Sequence, residues 1–191
     1  MEEERNNTEG YKPEYFEMSF GKFKNQKDDE VDEMLIGDVK VRGKIDRVDV
    51  KSDENTYKVI DYKLSGRRPA KKELEMGLSL QLPLYLYASK KMIEAELKKE
   101  FIPAAAIIYS LKLSNKDFGE RKIHISSSRN PKEDELIKSN EELIKICNEF
   151  IPAYVDKIVH GKFNLSILED RENKVCRFCD FKSICRIQEV N

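Results

Sequence analysis

VKVRGKIDRVDVKSDENTYKVIDYKL, residues 39–64, reads as two strands joined by a polar turn. Ser52, Asp53, Glu54 and Asn55 supply turn chemistry between two β-rich runs. Side chains alternate along the second run, so Asp61 and Lys63 project to one side. A hairpin brings Asp46 of the first run beside Asp61. Two carboxylates and a lysine at contact range repel and desolvate one another unless a cation lies among them. Oxygen ligands of this kind suit a hard ion such as Mg²⁺ or Mn²⁺. In outline this is a metal-assisted hydrolysis site. An Asp-x-Lys on an exposed strand is ordinarily a solvated polar face. Here it interrupts an apolar run, Val59, Ile60, Tyr62 and Leu64, that is otherwise a routine core strand. Gly43, just before Asp46, marks a bulge or a close approach to the backbone.

The chain has 191 residues, enough to bury a core in one domain with an appendage. The boundaries expected are a flexible segment at 1–14, a core at 15–165 and a cysteine-rich tail at 166–191. The content is 39% hydrophobic and 37% charged, which excludes a disordered chain. The net charge of −1 gives no overall attraction to nucleic acid, so such binding needs local basic patches. No apolar run approaches the roughly 20 residues of a membrane span, and residues 1–10 lack signal-peptide character. A cytoplasmic protein without a membrane partner is expected. Four cysteines in that compartment point to metal rather than disulfide.

Outward from the hairpin, the aromatic run at 15–23 reads as a first strand with Glu17 facing out, and residues 25–33 as an acidic, solvated loop. SGRRPAKK, residues 65–72, leaves the strand carrying Lys63 and holds Arg67, Arg68, Lys71 and Lys72. It is either a solubilising loop or a contact for a phosphate backbone near the proposed metal. Residues 73–99 read as helix, with Leu80, Leu84, Tyr87 and Met92 at helical spacing. Pro83 requires a start near Leu80 or a kink. Gln81 and Tyr85 lie one turn apart on one face, either as a core hydrogen bond or facing the cleft. Residues 104–113 read as a buried strand bounded by Pro103, and 121–126 as its partner, with His124 at the surface or in packing. Residues 131–160 read as a long amphipathic helix with Asn130 as cap, Pro131 first, a bend at Pro152 and Gly161 as stop. Its apolar stripe runs Leu136, Leu143, Ile146, Cys147, Phe150, Tyr154 and Ile158. His160 is explained by the helix dipole. The fold class expected is α/β, a mixed central β-sheet flanked by helices.

The tail VCRFCDFKSICR places Cys176, Cys179 and Cys185 in a C-x2-C-x5-C arrangement. Both thiolates of the short gap can reach one ion or cluster, with Phe178 and Phe181 as a shield from water. Zinc and an iron–sulfur cluster both fit. Cys147, in the apolar stripe, reads as a small core residue ahead of a fourth ligand.

GKIDRVD at 43–49, VIDYK at 59–63, QLPLY at 81–85 and the cysteine tail, in that order, resemble the RecB-type nuclease domain of the PD-(D/E)XK superfamily. Most similar is the iron–sulfur nuclease domain of AddB-type helicase–nuclease subunits, which process double-strand DNA ends before recombination. Small CRISPR-associated RecB-like exonucleases share the motif order. The resemblance implies a restriction-endonuclease-like core and metal-dependent DNA phosphodiester hydrolysis. It implies Asp46, Asp61 and the backbone carbonyl of Tyr62 as metal ligands for Mg²⁺ or Mn²⁺, and Lys63 beside the attacking water. It also implies Gln81 and Tyr85 next to the site, and Cys176, Cys179 and Cys185 as three ligands of a 4Fe-4S cluster. DNA and an AddA-type subunit are the implied partners. Two departures stand out: no histidine precedes His124 and no cysteine precedes Cys147, where the family carries an upstream metal ligand and an upstream cluster ligand. The chain is therefore expected to be a fragment, a weak or silent nuclease with an unfilled or zinc-substituted cysteine site. The rival readings are a catalytically silent DNA-binding or assembly module, and a zinc-ribbon protein with an incidental hairpin.

Overall fold

A computed structural model describes residues 9–21, 33–65, 67–113, 118–162 and 171–181. The chain divides into two compact units, Met1–Ala153 and Tyr154–Asn191.

In the first unit the quoted stretch is a hairpin of β4 (Gly43–Lys51) and β5 (Thr56–Lys63), antiparallel with Arg47 opposite Ile60 and Lys51 opposite Thr56. Its turn is the expected Ser52 to Asn55, with Asn55 at φ 50°, a left-handed conformation that asparagine tolerates. Residues 39–41 do not extend it. They form β3 (Val39–Val41), which pairs with β2 (Met34–Ile36) as a separate ribbon. The acidic loop expected at 25–33 lies outside the described residues except for Glu33, which pairs with Lys40 at 2.5 Å.

Around the hairpin the described strands make a five-stranded sheet in the order β1, β4, β5, β6, β7. β1 (Lys12–Phe20) starts before residue 15, inside the segment expected to be flexible, and runs antiparallel to β4. Glu17 on it is exposed, paired with Lys44, and held at φ 54°. β6 (Ile102–Ser110) runs parallel to β5, and β7 (Gly119–Lys122) returns antiparallel to β6. A parallel pair needs a crossover, which holds α1 (Lys71–Glu75) and α2 (Gln81–Leu97). Pro103 sits inside β6, not ahead of it, at the one register shift of the β5–β6 ladder. The sheet is mixed and flanked by helices, the α/β class expected.

The helix expected over 73–99 is two helices. Gly77 breaks it at φ 65°, and a Cβ there would lie 2.4 Å from the Phe150 ring. α2 begins at Gln81, which places Pro83 in its first turn, where a missing N–H costs nothing. Its buried side is Leu82, Leu86, Ser89 and Ile93, whereas Leu80, Leu84, Tyr87 and Met92 pack only partly buried against the core. α3 (Glu133–Val159) starts two residues after Pro131: Lys132 carries the cap position, its carbonyl accepting from Leu136 and its N–H donating to Glu135. Helix continues on both sides of Pro152. Leu136, Leu143, Ile146 and Cys147 are buried as the stripe requires, but Ile158 is exposed. Two polar residues share that buried side. Ser139 accepts the Ile125 N–H at 2.8 Å, and the Asn140 amide donates to the Pro103 carbonyl at 3.0 Å.

One sheet face, with Val48, Val50, Tyr57, Val59, Ala106 and Ile108, packs with α2 and α3 in the main core. The other carries Ile60, Ala105 and Ile107 with Tyr62 and Tyr109. β5 is buried from Thr56 to Asp61, as a central strand with neighbours on both sides must be.

In the second unit the described tail residues form α4 (Arg171–Lys174) and a 3₁₀ turn over Cys176–Phe178. Phe178 and Phe181, expected as a shield, are exposed at 75% and 68%. Cys185 lies outside the described residues. His160 touches the Asp156 carboxylate at 3.1 Å and its carbonyl at 2.8 Å. Among the described residues no helix is long and apolar enough to cross a membrane.

Candidate active site

The β4–β5 ladder ends at the pair Arg47 and Ile60, and one step further the same register sets Asp46 opposite Asp61. Residues opposite each other in an antiparallel pair share a face. Beyond the ladder the Tyr62 N–H donates to Oδ2 of Asp46 at 2.9 Å, a side chain standing where a strand partner would. β5 stays paired on its other side as far as Lys63 opposite Ser110. The two strands therefore part at one end of the sheet, where both carboxylates stand. Gly43 makes this end possible: a Cβ there would lie 2.5 Å from the Phe20 ring. The close approach expected at this glycine is that of Phe20.

Asp61 is 3% exposed. Its Oδ1 accepts from the Gln81 amide at 3.1 Å, and its Oδ2 lies 2.8 Å from the Lys63 ammonium. Lys63 donates to Oε1 of Gln81 at 3.2 Å, and the Gln81 amide also reaches the Tyr85 hydroxyl at 3.1 Å. These contacts fix the orientation of Gln81: its oxygen faces the lysine and its nitrogen the two oxygens. α2 presents Gln81 as its first residue and Tyr85 one turn on, so Gln81 meets the β5 pair and Tyr85 meets Gln81. The structure thus brings Asp61, Lys63, Gln81 and Tyr85 into one network, with Asp46 bonded to the intervening Tyr62.

Burial raises the Asp61 carboxyl above its ordinary value; Lys63 opposes this, and the Asp46 carboxylate adds to it. Oδ2 of Asp61 is shut off from solvent and, despite the nearby ammonium, makes no well-aligned hydrogen bond. A buried carboxylate oxygen in that state fits a bond to a cation. The donors at hand are the carboxylates of Asp46 and Asp61 and the carbonyl of Tyr62. No group of three or more His, Cys, Asp or Glu side chains suited to a metal occurs among the described residues. Two carboxylates are a set that suits Mg²⁺, which keeps water and substrate oxygens as its remaining ligands.

The basic loop is held within the fold. Arg67 forms a two-pronged pair with Glu73 at 2.8 and 2.9 Å, and Glu73 also accepts the Ala70 N–H. Arg68 contacts Nε2 of His124 at 2.9 Å, and Lys71 donates to Ser127 at 3.2 Å. Lys72 is exposed on α1. On the opposite sheet face sequence reasoning missed a buried ion pair, Arg47 with Asp49 at 2.5 Å, that also reaches the Tyr62 hydroxyl at 3.1 Å. Alternation placed both residues on that face, but nothing in the sequence paired them. His124 is 9% exposed, which sets it in packing and not at the surface. Cys147 is fully buried, and burial pushes its thiol up to about 12. In the second unit Cys176 and Cys179 are free thiols joined by the turn, the Cys179 N–H donating to the Cys176 carbonyl at 3.2 Å.

Residues 1–186 match the PD-(D/E)XK nuclease superfamily, and the chain belongs to it. Curated relatives that the chain resembles include ATP-dependent helicase/deoxyribonuclease subunits B. It is 24% identical over 197 residues to the ATP-dependent helicase/deoxyribonuclease subunit of this type from Oceanobacillus iheyensis, covering 78% of this chain and 17% of that one. To the subunit of the same name in Clostridium tetani it is 26% identical over 179 residues, with 90% and 15% covered. To that of Desulforudis audaxviator it is 40% identical over 75 residues, with 38% and 6% covered. The chain spans less than a fifth of the length of these relatives.

Proposed function

We propose that the first unit hydrolyses DNA phosphodiester bonds with a divalent metal ion, as the nuclease domain of a helicase–nuclease that acts on double-strand break ends in recombinational repair. The network of Asp61, Lys63, Gln81 and Tyr85 beside Asp46 carries this reading. Three charged groups held together, one of them a buried carboxylate above its ordinary pKa, are costly unless chemistry uses them. Asp46, Asp61 and the Tyr62 carbonyl would hold Mg²⁺ or Mn²⁺, which would supply Lewis-acid stabilisation of phosphate charge and a lower pKa for the attacking water. Lys63 orients the attacking water and balances the charge that grows on the phosphate. Water oxygen bonds to phosphorus, the bond to the leaving oxygen breaks, and that oxygen takes up a proton. Gln81 holds Lys63 and Asp61 in register, and Tyr85 holds Gln81. Arg67, Arg68, Lys71 and Lys72 contact the DNA backbone.

The relatives' names support an AddA-type partner, and DNA as substrate. Cys176, Cys179 and Cys185 are the proposed ligands of a 4Fe-4S cluster. The two free thiols of the turn suit it, and the un-ionised thiol of Cys147 does not. The test is cleavage of single-stranded DNA by this chain with Mn²⁺ or Mg²⁺, beside Mn²⁺ binding by calorimetry. Expected is a slow cleavage abolished by EDTA. Asp46→Asn and Asp61→Asn lose Mn²⁺ binding, and Lys63→Ala loses about 10²–10³-fold in rate with binding retained. Cleavage that survives Asp61→Asn and Lys63→Ala unchanged overturns the assignment.

A further inference from the structure

The loop that leaves Lys63 reaches a second setting. Arg68 lines a cavity of about 430 Å³ together with Glu120, Arg121, Lys122, His124 and Arg129. Four cationic side chains and one carboxylate line it, in a chain of net charge −1. Lys122 also stands 4.0 Å from Glu9, a distance at which little is gained. Gathered cations repel one another, and an anion between them removes that cost. The cavity volume falls in the range of small-ligand sites and exceeds what a lone simple ion needs.

His124 gives the lining its sense. A guanidinium can only donate, so at 2.9 Å from Arg68 the Nε2 of His124 accepts, and the ring proton stands on Nδ1. Burial and the Arg68 charge both lower the imidazole's pKa, against a smaller opposing effect from the Ser126 backbone, so the ring is neutral at pH 7. With only 9% of the residue exposed, Nδ1 is shut off from solvent without a well-aligned partner. The cavity therefore combines guanidinium forks with a neutral ring that holds one of them, Arg68, in place. Arginine forks match the oxygens of a phosphate, and three arginines around one space suit a tetrahedral anion better than a planar carboxylate.

We propose that this cavity is a phosphate-binding subsite that takes a terminal or backbone phosphate of a polynucleotide, apart from the Asp61 network. Phosphate binding stands on the cavity alone; the polynucleotide as its source rests on the nuclease reading. Arg68 lies five positions after Lys63, so their backbones lie within about 18 Å. At about 3.4 Å per phosphate along a duplex strand, one strand reaches both places within roughly five nucleotides. The site then grips the strand a few nucleotides from the bond being cut.

The chain has two histidines, His124 and His160, so its imidazole resonances are readily separated. In EDTA at pH 7.5, titration with inorganic phosphate, with a 5′-phosphorylated single-stranded oligonucleotide, and with its 5′-hydroxyl twin is expected to shift the His124 signal saturably. Chloride at equal ionic strength leaves it in place. Arg129→Glu, at an exposed position, weakens binding at least tenfold, and Arg121→Gln checks the result at a second position. A tenfold preference for the 5′-phosphorylated strand identifies a terminal phosphate, and equal affinity a backbone phosphate. Response to inorganic phosphate and to neither oligonucleotide keeps the phosphate site and overturns the polynucleotide source. A His124 signal unmoved by all three ligands, or moved equally by chloride, overturns the proposal. Since no metal is present, the outcome is independent of cleavage: loss of the nuclease reading leaves the shift intact, and loss of the shift leaves cleavage intact.

Discussion

At the scale of single residues, Asp61 is where structure and chemistry oppose each other. Its folded-state pKa lies above the ordinary carboxylate value of 3.8 because burial outweighs the help of Lys63. The folded protein then binds more protons than the unfolded one, so stability falls as pH rises through the raised value. Below the ordinary value both states are protonated and the penalty is absent. Without metal, the urea midpoint is expected to rise as pH is lowered from neutrality towards that range. Asp61→Asn should flatten this slope and raise the midpoint at pH 7 while removing the proposed activity, a trade common to strained sites. A variant less stable than wild type at pH 7, with the slope unchanged, contradicts this account. Alternation places Asp61 and Lys63 on one face, the hairpin brings Asp46 beside Asp61, and the helical repeat puts Gln81 and Tyr85 on one side of their helix. None of these reveals that Gln81 joins Asp61, Lys63 and Tyr85, because that depends on where α2 begins.

Among the elements, the break between α1 and α2 is decided at Gly77. Its φ of 65° is one that side-chain-bearing residues adopt at a cost of about 1–2 kcal/mol, and the Phe150 ring fills the space of a Cβ. Gly77→Ala is therefore expected to lower stability by at least that amount in urea melts. Phe150→Ala in the same chain should recover the steric share, so the two changes couple by more than about 0.5 kcal/mol in a double-mutant cycle. Additive effects would show that the ring does not matter. The helical pattern of residues 73–99 could not disclose this break, since the residue that enforces it lies in another helix. The same holds for Ser139 and Asn140, polar on paper but buried because β6 and the segment after β7 offer them backbone partners.

For the molecule as a whole, the proposed metal links the site to stability. A ligand that binds only the folded state at a hundred times its Kd adds about 2.7 kcal/mol, or roughly 5–10 °C in Tm for a unit of this size. Saturating Mn²⁺ should raise the Tm of wild type by that order, and leave Asp46→Asn combined with Asp61→Asn unmoved; equal shifts in both proteins exclude the carboxylate pair as the binding site. The hairpin and its turn, the α/β class, the long helix and the shared face of Asp46, Asp61 and Lys63 were all determined by the sequence alone. Each is a periodic or local property, set by residues a few positions apart. The seating of the Phe150 ring against Gly77, the bond of Asn140 to the Pro103 carbonyl and the meeting of Arg68 with His124, 56 positions away, were decided only by the tertiary structure. Such contacts depend on which surfaces the packed sheet and helices bring together, and no local pattern encodes them.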